Sequence, residues 1–167
     1  MKKILSLTMA LAMIGTALTG CGSKDTATHP PAENTQQTAP VQQEQSQTEK
    51  ALALINTFAT GDTDTARSLL ADGYIQHNLA YGTGADAFIG SVEYLASADV
   101  KTTVNNIRAF EDVDKVFMQT IYNFAGAGEQ VAFDIFRFDE NGKIAEHWDV
   151  METIADQSTW QNQNGKF

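Results

Sequence analysis

The stretch VAFDIFRFDENGKIAEHWDV, Val131–Val150, decides the fold. Two β-type runs flank Asp139-Glu140-Asn141-Gly142, where Asn-Gly accommodates the positive φ of a hairpin turn. In the first run Val131, Phe133 and Ile135 share one face, and Ala132, Asp134, Phe136 and Phe138 share the other, because strand side chains alternate. In the second run Ile144, Glu146, Trp148 and Val150 oppose His147 and Asp149. A carboxylate between Ala132 and Phe136, on a strand apolar on both sides, is costly unless it is paired or hydrogen-bonded.

The hairpin register says what could pair with it. A four-residue turn over 139–142 sets Asp134 opposite His147, whereas a tight Asn141-Gly142 turn sets it opposite Asp149. A three-residue turn is disfavoured, because it puts Asp134 against Trp148 and mixes the faces. Directly opposed side chains have Cβ atoms about 4.5–5.5 Å apart, so either retained register gathers two carboxylates and one imidazole on one patch. A carboxylate can fix the tautomer of an imidazole or make it a poised acid or base, and two carboxylates can raise one another's pKa. Asp134, His147 and Asp149 are therefore the candidate catalytic residues.

Working outward, β-type segments occupy about 101–111, 115–124, 130–138 and 143–151, with Gly126-Ala127-Gly128 as a further turn. The residues before them read as helices. Ser46-Gln47-Thr48-Glu49 fits a capping box, followed by an apolar stripe of Ala51, Leu52, Leu54, Ile55, Phe58 and Ala59 that ends at Gly61. A shorter helix spans about Asp64 to Ala71 and stops at Gly73. Thr83 caps a third, which runs to about Ala98 and has Ala87, Phe88, Val92, Tyr94 and Leu95 on its apolar side. Three helices followed by consecutive antiparallel strands make an α+β domain over residues 46–167. A curved sheet against the helices would enclose its concave face as a pocket.

The remaining segments concern export. Lys2 and Lys3 precede an apolar run, Ile4–Ala17, that is short for a membrane span, and then Leu18-Thr19-Gly20-Cys21. This resembles the lipobox of bacterial lipoproteins, which implies a signal peptide over 1–20 and lipidation of Cys21, the one cysteine of the chain. Several acyl chains on one residue give durable anchoring. The expected location is the bacterial cell envelope, with the domain outside the cytoplasm. Residues 21–45 contain all three prolines among Gln, Thr and Ser, so a disordered tether is expected there.

Composition narrows the function classes. With 11 Lys plus Arg against 21 Asp plus Glu, the net charge is −10, which opposes nucleic-acid binding. One cysteine excludes an internal disulfide and a CxxC-type zinc cluster. Gly82-Thr83-Gly84 lacks the strand and lysine of a phosphate loop, and no His-Glu-x-x-His spacing occurs. No metal and no cofactor are expected.

Tyr74-Ile75-Gln76-His77-Asn78, the Gly84–Phe88 stretch, Asp134-Ile135-Phe136-Arg137 and Gly142–Val150 resemble the SnoaL-like branch of the NTF2-like superfamily. The likeness is to proteins described as polyketide-cyclase or aldol-condensation proteins, over about residues 48–167. It implies a cone in which a strongly curved antiparallel sheet and three helices enclose a largely apolar pocket. It also implies dimerisation through the outer sheet face. Asp134 and Asp149 fall where related epoxide hydrolases place catalytic carboxylates. Tyr74, His77, Asn78, Phe88, Gln119 and Phe136 are the implied ligand-binding residues. Gln119 stands where many relatives have a histidine, and Glu152 where a glutamine is usual.

The expected function is acid–base chemistry of isomerase, cyclase or lyase type on a small apolar carbonyl compound. The alternatives are a non-catalytic small-molecule-binding lipoprotein and a protein-interaction module. A cavity filled by Phe88, Phe136 and Phe138 would favour the last.

Overall fold

Ser46 opens the first helix, α1 (Gln47–Thr60), with the expected reciprocal cap. Its Oγ accepts from the Glu49 amide at 3.1 Å, while Glu49 accepts from the Ser46 amide at 2.8 Å. Gly61 ends it at φ +75, and a Cβ there would sit 2.8 Å from that of Ala96, so both backbone and space require glycine. The computed structural model describes residues 44–167. The signal peptide, Cys21 and nearly all of the tether lie outside the described residues. Among those described, no helix is long and apolar enough to cross a membrane.

After α1 come α2 (Thr63–Leu69), β1 (Leu70–Gln76), α3 (Ala85–Ser97), β2 (Thr103–Asp112), β3 (Lys115–Asn123), β4 (Gln130–Phe138) and β5 (Ile144–Thr153). The five strands form one sheet in the order β1-β5-β4-β3-β2. The α+β expectation holds, with two corrections to its details. First, the sheet is mixed: the segment after α2, which by sequence pattern reads as the end of a helix and a connection, is strand β1 and runs parallel to β5. The chain turns extended at Leu70 because Leu70 and Tyr74 both enter the core while β5 offers a free edge. Second, Thr83 does not cap α3. Gly84 is its N-cap, and the Thr83 hydroxyl accepts from the Gln76 amide at 3.2 Å, tying the segment after β1 back to the strand.

The β4–β5 hairpin corrects the turn while keeping one of the two registers. Asp139 bonds back to Lys143, so residues 140–142 form the three-residue connection that was disfavoured, with Gly142 at φ +67. Phe138 then pairs with Ile144, but Arg137 pairs with Glu146, leaving Ala145 as a bulge. That extra residue restores the register in which Asp134 opposes Asp149. It also moves Ile144 from the outer face, where strict alternation puts it, into the core.

The inner sheet face and the helices share one core. Val92 of α3, Leu54 of α1, Val116 of β3, Phe136 of β4 and Ile144 of β5 are almost fully buried. Each such side chain contributes about 1.5–3 kcal/mol relative to exposure. Tyr94, expected on the buried side of α3, is 73% exposed.

Candidate functional site

The helices do not fill the concave sheet face. A cavity of about 770 Å³ remains between them, walled by Ile55 and Phe58 of α1, Phe88 and Leu95 of α3, and Phe136 and Met151 of the sheet. Phe88 and Phe136 line the space without closing it. Polar groups converge on it from four strands, Tyr74 and Gln76 from β1, Tyr122 from β3, Asp134 from β4, and His147 and Asp149 from β5, while Tyr81, Ser91, Tyr94 and Gln130 also border it. Among the described residues, no Lys or Arg lines it.

Alternation on β4 and β5 brings the trio together. Asp134 faces Asp149 directly, and His147 faces Phe136, whose ring it stacks on at 4.4 Å. His147 Nε2 lies 3.2 Å from Asp134 Oδ1. The Tyr122 hydroxyl donates to Asp134 Oδ2 at 3.0 Å, so both oxygens of this buried carboxylate are partnered. Asn78 Nδ2 donates to Asp149 Oδ1 at 2.6 Å.

Burial and hydrogen bonding set the acidities. Burial pushes the Asp149 carboxyl up, and the neighbouring Asp134 charge adds to it; His147 and the Asn78 bond oppose the shift. Asp149 is thus biased towards keeping a proton. Burial likewise pushes the Tyr122 phenol well above its usual range, followed by the charge of Asp134. Tyr74 is raised too, first by burial and then by Asp149 and Asp134. Both phenols therefore stay hydrogen-bond donors at ordinary pH.

Two expected ligand-binding residues lie elsewhere. His77 follows Gln76 on the opposite side of the chain: its Nε2 meets Glu146 at 3.0 Å, and its ring stacks on Trp148 at 4.4 Å. Glu146 also binds Arg137, and its pKa is held below the usual carboxylate value first by the His77 bond and then by that of Arg137. Gln119 alternates away from the pocket-facing Tyr122 and donates to the Lys166 carbonyl at 2.7 Å. Asn78 reaches the site through two bonds, from its side chain to Asp149 and from its backbone amide to Gln76. Tyr74, Phe88 and Phe136 line the cavity.

Gln76 and Tyr122 are the site residues that sequence reasoning passed over. The alternation that sends His77 outward sends Gln76 inward, a signal that needed β1 to be recognised as a strand. Tyr122 needed only the parity of β3, since Met118, Thr120 and Tyr122 share its buried face.

Ligand-type atoms of Asp134, His147 and Asp149 lie within 4.8 Å of one another, the one such grouping found among the described residues. A cation there would draw on His147 Nε2, the atom now directed at Asp134.

A family model described as a SnoaL-like domain matches residues 51–147. No curated protein matches the sequence significantly. Among solved structures, an NTF2-like protein of unknown function from Cytophaga hutchinsonii superposes with a TM-score of 0.57 at 14% identity, covering 66% of this chain and 94% of its own. A Bacillus cereus putative polyketide cyclase gives 0.55 at 14% identity, over 64% and 74% of the two chains. A Mycobacterium tuberculosis LEH-like epoxide hydrolase gives 0.54 at 18% identity, over 62% and 80%. At these identities the likeness is one of fold.

Proposed function

The chain belongs to the SnoaL-like domain family, and on that premise we propose that it is a pocket protein performing acid–base chemistry on a small, uncharged, largely apolar carbonyl-type compound. The observation that carries this reading is the hydrogen-bonded carboxylate–imidazole pair, with a second carboxylate beside it, at one wall of an open apolar cavity. Catalytic proton transfer needs a titratable group within hydrogen-bond reach of substrate, at a pKa moved towards working pH. Asp149 meets the second condition through burial and borders the cavity. In this proposal it gives or takes the proton, while the Tyr74 phenol, whose own proton is not committed elsewhere, is the nearby neutral donor for a developing oxyanion; the Tyr122 proton is held by Asp134.

The absence of any cationic lining residue argues against carboxylates and phosphates as ligands, because their charge would meet Asp134 and Asp149 unopposed. The neighbours described as a polyketide cyclase and an epoxide hydrolase lend the fold a record of small-molecule chemistry. Function does not follow from fold alone, so the pocket carries the weight.

A second reading, binding without turnover, draws on a specific feature. Both oxygens of Asp134 are already engaged by Tyr122 and His147, as in a group that shapes a pocket without reacting. The cavity's openness speaks against the protein-interaction module. The lipobox-like Leu18-Thr19-Gly20-Cys21 supports the further proposal that the protein is a lipid-anchored envelope protein with this domain outside the cytoplasm.

The test incubates the purified protein with a panel of uncharged ketones and aldehydes in deuterated water. Ligand binding with exchange at the carbon next to the carbonyl, lost in Asp149→Asn, supports catalysis. Binding without exchange selects the second reading. Neither binding nor exchange across the panel, with no co-purified small molecule detected by mass spectrometry, removes both.

A further inference from the structure

Gln76 sits at the end of β1, and its amide touches three groups. Oε1 accepts from the Asn78 backbone amide at 2.9 Å. Nε2 lies 3.0 Å from His147 Nδ1 and 3.3 Å from the Tyr74 hydroxyl. A backbone N–H can only donate, so the atom facing it must be the amide oxygen, which settles which way the Gln76 amide points. The NH2 group therefore faces His147. Because an amide NH2 only donates, Nδ1 of His147 must present a lone pair. The proton of the neutral imidazole is then on Nε2, directed at Asp134 Oδ1 3.2 Å away.

We propose that Gln76 is a positioning residue that locks His147 in its Nε2–H tautomer, making the imidazole a hydrogen-bond donor to Asp134. This deepens the acid–base reading of the pocket. The polarity runs one way, from the Asn78 amide through Gln76 and His147 to Asp134. A second proton on Nδ1 would set two donors face to face. It is accommodated only if the Gln76 amide turns over, which breaks the bond to Asn78.

Among the described residues, the titratable groups beside the ring come from the strands. Asp134 approaches from β4, Asp149 from β5, and Gln76 with Tyr74 from β1, while Tyr122 of β3 acts through Asp134. The face of Phe136 covers the imidazole, and the helices bring no charged side chain to the cavity. Two consequences follow. Proton acceptance from substrate falls to Asp149, since the one free imidazole nitrogen is occupied by Gln76. A cation would find Nε2 protonated, and ligating it there would require the same amide to turn.

The experiment reads imidazole nitrogen resonances in the ¹⁵N-labelled full chain at neutral pH, without ligand. His29→Gln and His77→Gln variants assign the three histidines. Wild-type His147 is expected to show Nε2 in the protonated range and Nδ1 in the lone-pair range. Gln76→Glu gives Nδ1 an acceptor, so both nitrogens should move to the protonated range at the same pH. Gln76→Leu removes the donor to Nδ1, so the Nδ1 resonance should shift towards the value of a lone pair without a hydrogen bond, while Asp134 still draws the proton to Nε2. A wild-type spectrum with the proton on Nδ1, or a Gln76→Leu spectrum identical to wild type, overturns the proposal. The wild-type spectrum decides even if a variant fails to fold. Because no substrate enters the measurement, its failure is distinct from failure of the acid–base reading, which rests on exchange and binding.

Discussion

Asp134 and Asp149 oppose each other across the β4–β5 ladder, yet they are bonded unequally. Asp134 accepts from His147 and Tyr122, whereas Asp149 accepts from Asn78 alone. Two carboxylates on one patch thus have different environments, the arrangement that separates acid and base roles.

The first prediction follows from Asp149. Its pKa in the folded chain is raised by burial, so the folded state holds the proton more tightly than the unfolded state does. That contribution favours folding below the ordinary aspartate value of 3.8 and is lost as pH rises through the raised value. Asp149→Asn removes the loss and can still accept from Asn78. Thermal midpoints should exceed those of wild type by a few degrees at neutral pH, with the gap closing under acid conditions. A variant less stable than wild type at neutral pH would refute the assignment.

Asp134 predicts the opposite sign. Asparagine offers one acceptor where two donors now arrive, so Asp134→Asn leaves Tyr122 or His147 facing an NH2 group. The cost should be about 1–3 kcal/mol by denaturant unfolding. Tyr122→Phe removes one donor and should cost about 1 kcal/mol. Stability alone cannot then separate a structural from a functional Asp134, so each variant needs a ligand-binding measurement beside its unfolding curve. Unchanged affinity in Asp134→Asn would exclude that residue from the site.

Much of this was legible in the sequence, for identifiable reasons. The alternation from Val131 to Phe138 reports burial directly, and the Ser46 box reports a helix start through local hydrogen bonds. What escaped was non-local. The pairing of β1 with β5 spans some seventy residues of chain, and Ala71-Asp72-Gly73 shows no strand period because the register shifts there. The Ala145 bulge has no compositional mark, so strict alternation puts Ile144 on the outer face and ties the Asp134–Asp149 register to a two-residue turn, whereas the bulge reaches that register from a three-residue one. Gln76 was hidden by the same omission, since its inward direction is a property of β1.

Anchoring is tested outside the described residues. If Cys21 is acylated, Cys21→Ala should abolish detergent-phase partitioning and leave uncleaved precursor, visible as a change in intact mass. A wild-type mature chain carrying no lipid on Cys21 would end the envelope-lipoprotein proposal.

The last prediction concerns the outer sheet face. Phe110 pairs with Phe117, Phe117 with Ile135, and Phe133 with Val150, so apolar side chains run diagonally across β2 to β5. Phe110, Phe133 and Val150 are each more than half exposed. Beside them the C-terminal segment is tied down by Gln119 and by the Lys166–Glu152 ion pair, leaving this part of the face uncovered. Monomers seldom expose apolar patches of several hundred Å². We propose that a second copy covers it through an isologous contact, in which each patch meets its equivalent. Light scattering on chains starting after Cys21 should give twice the monomer mass. Phe133→Asp places a charge at the centre of that contact while altering nothing on the pocket side, so it should yield monomers with an unchanged fold and unchanged ligand affinity. Wild-type chains that remain monomeric at high concentration would overturn the isologous contact. Loss of ligand affinity in the monomeric variant would mean that pocket and interface are coupled through β4, where Phe133 and Asp134 are adjacent.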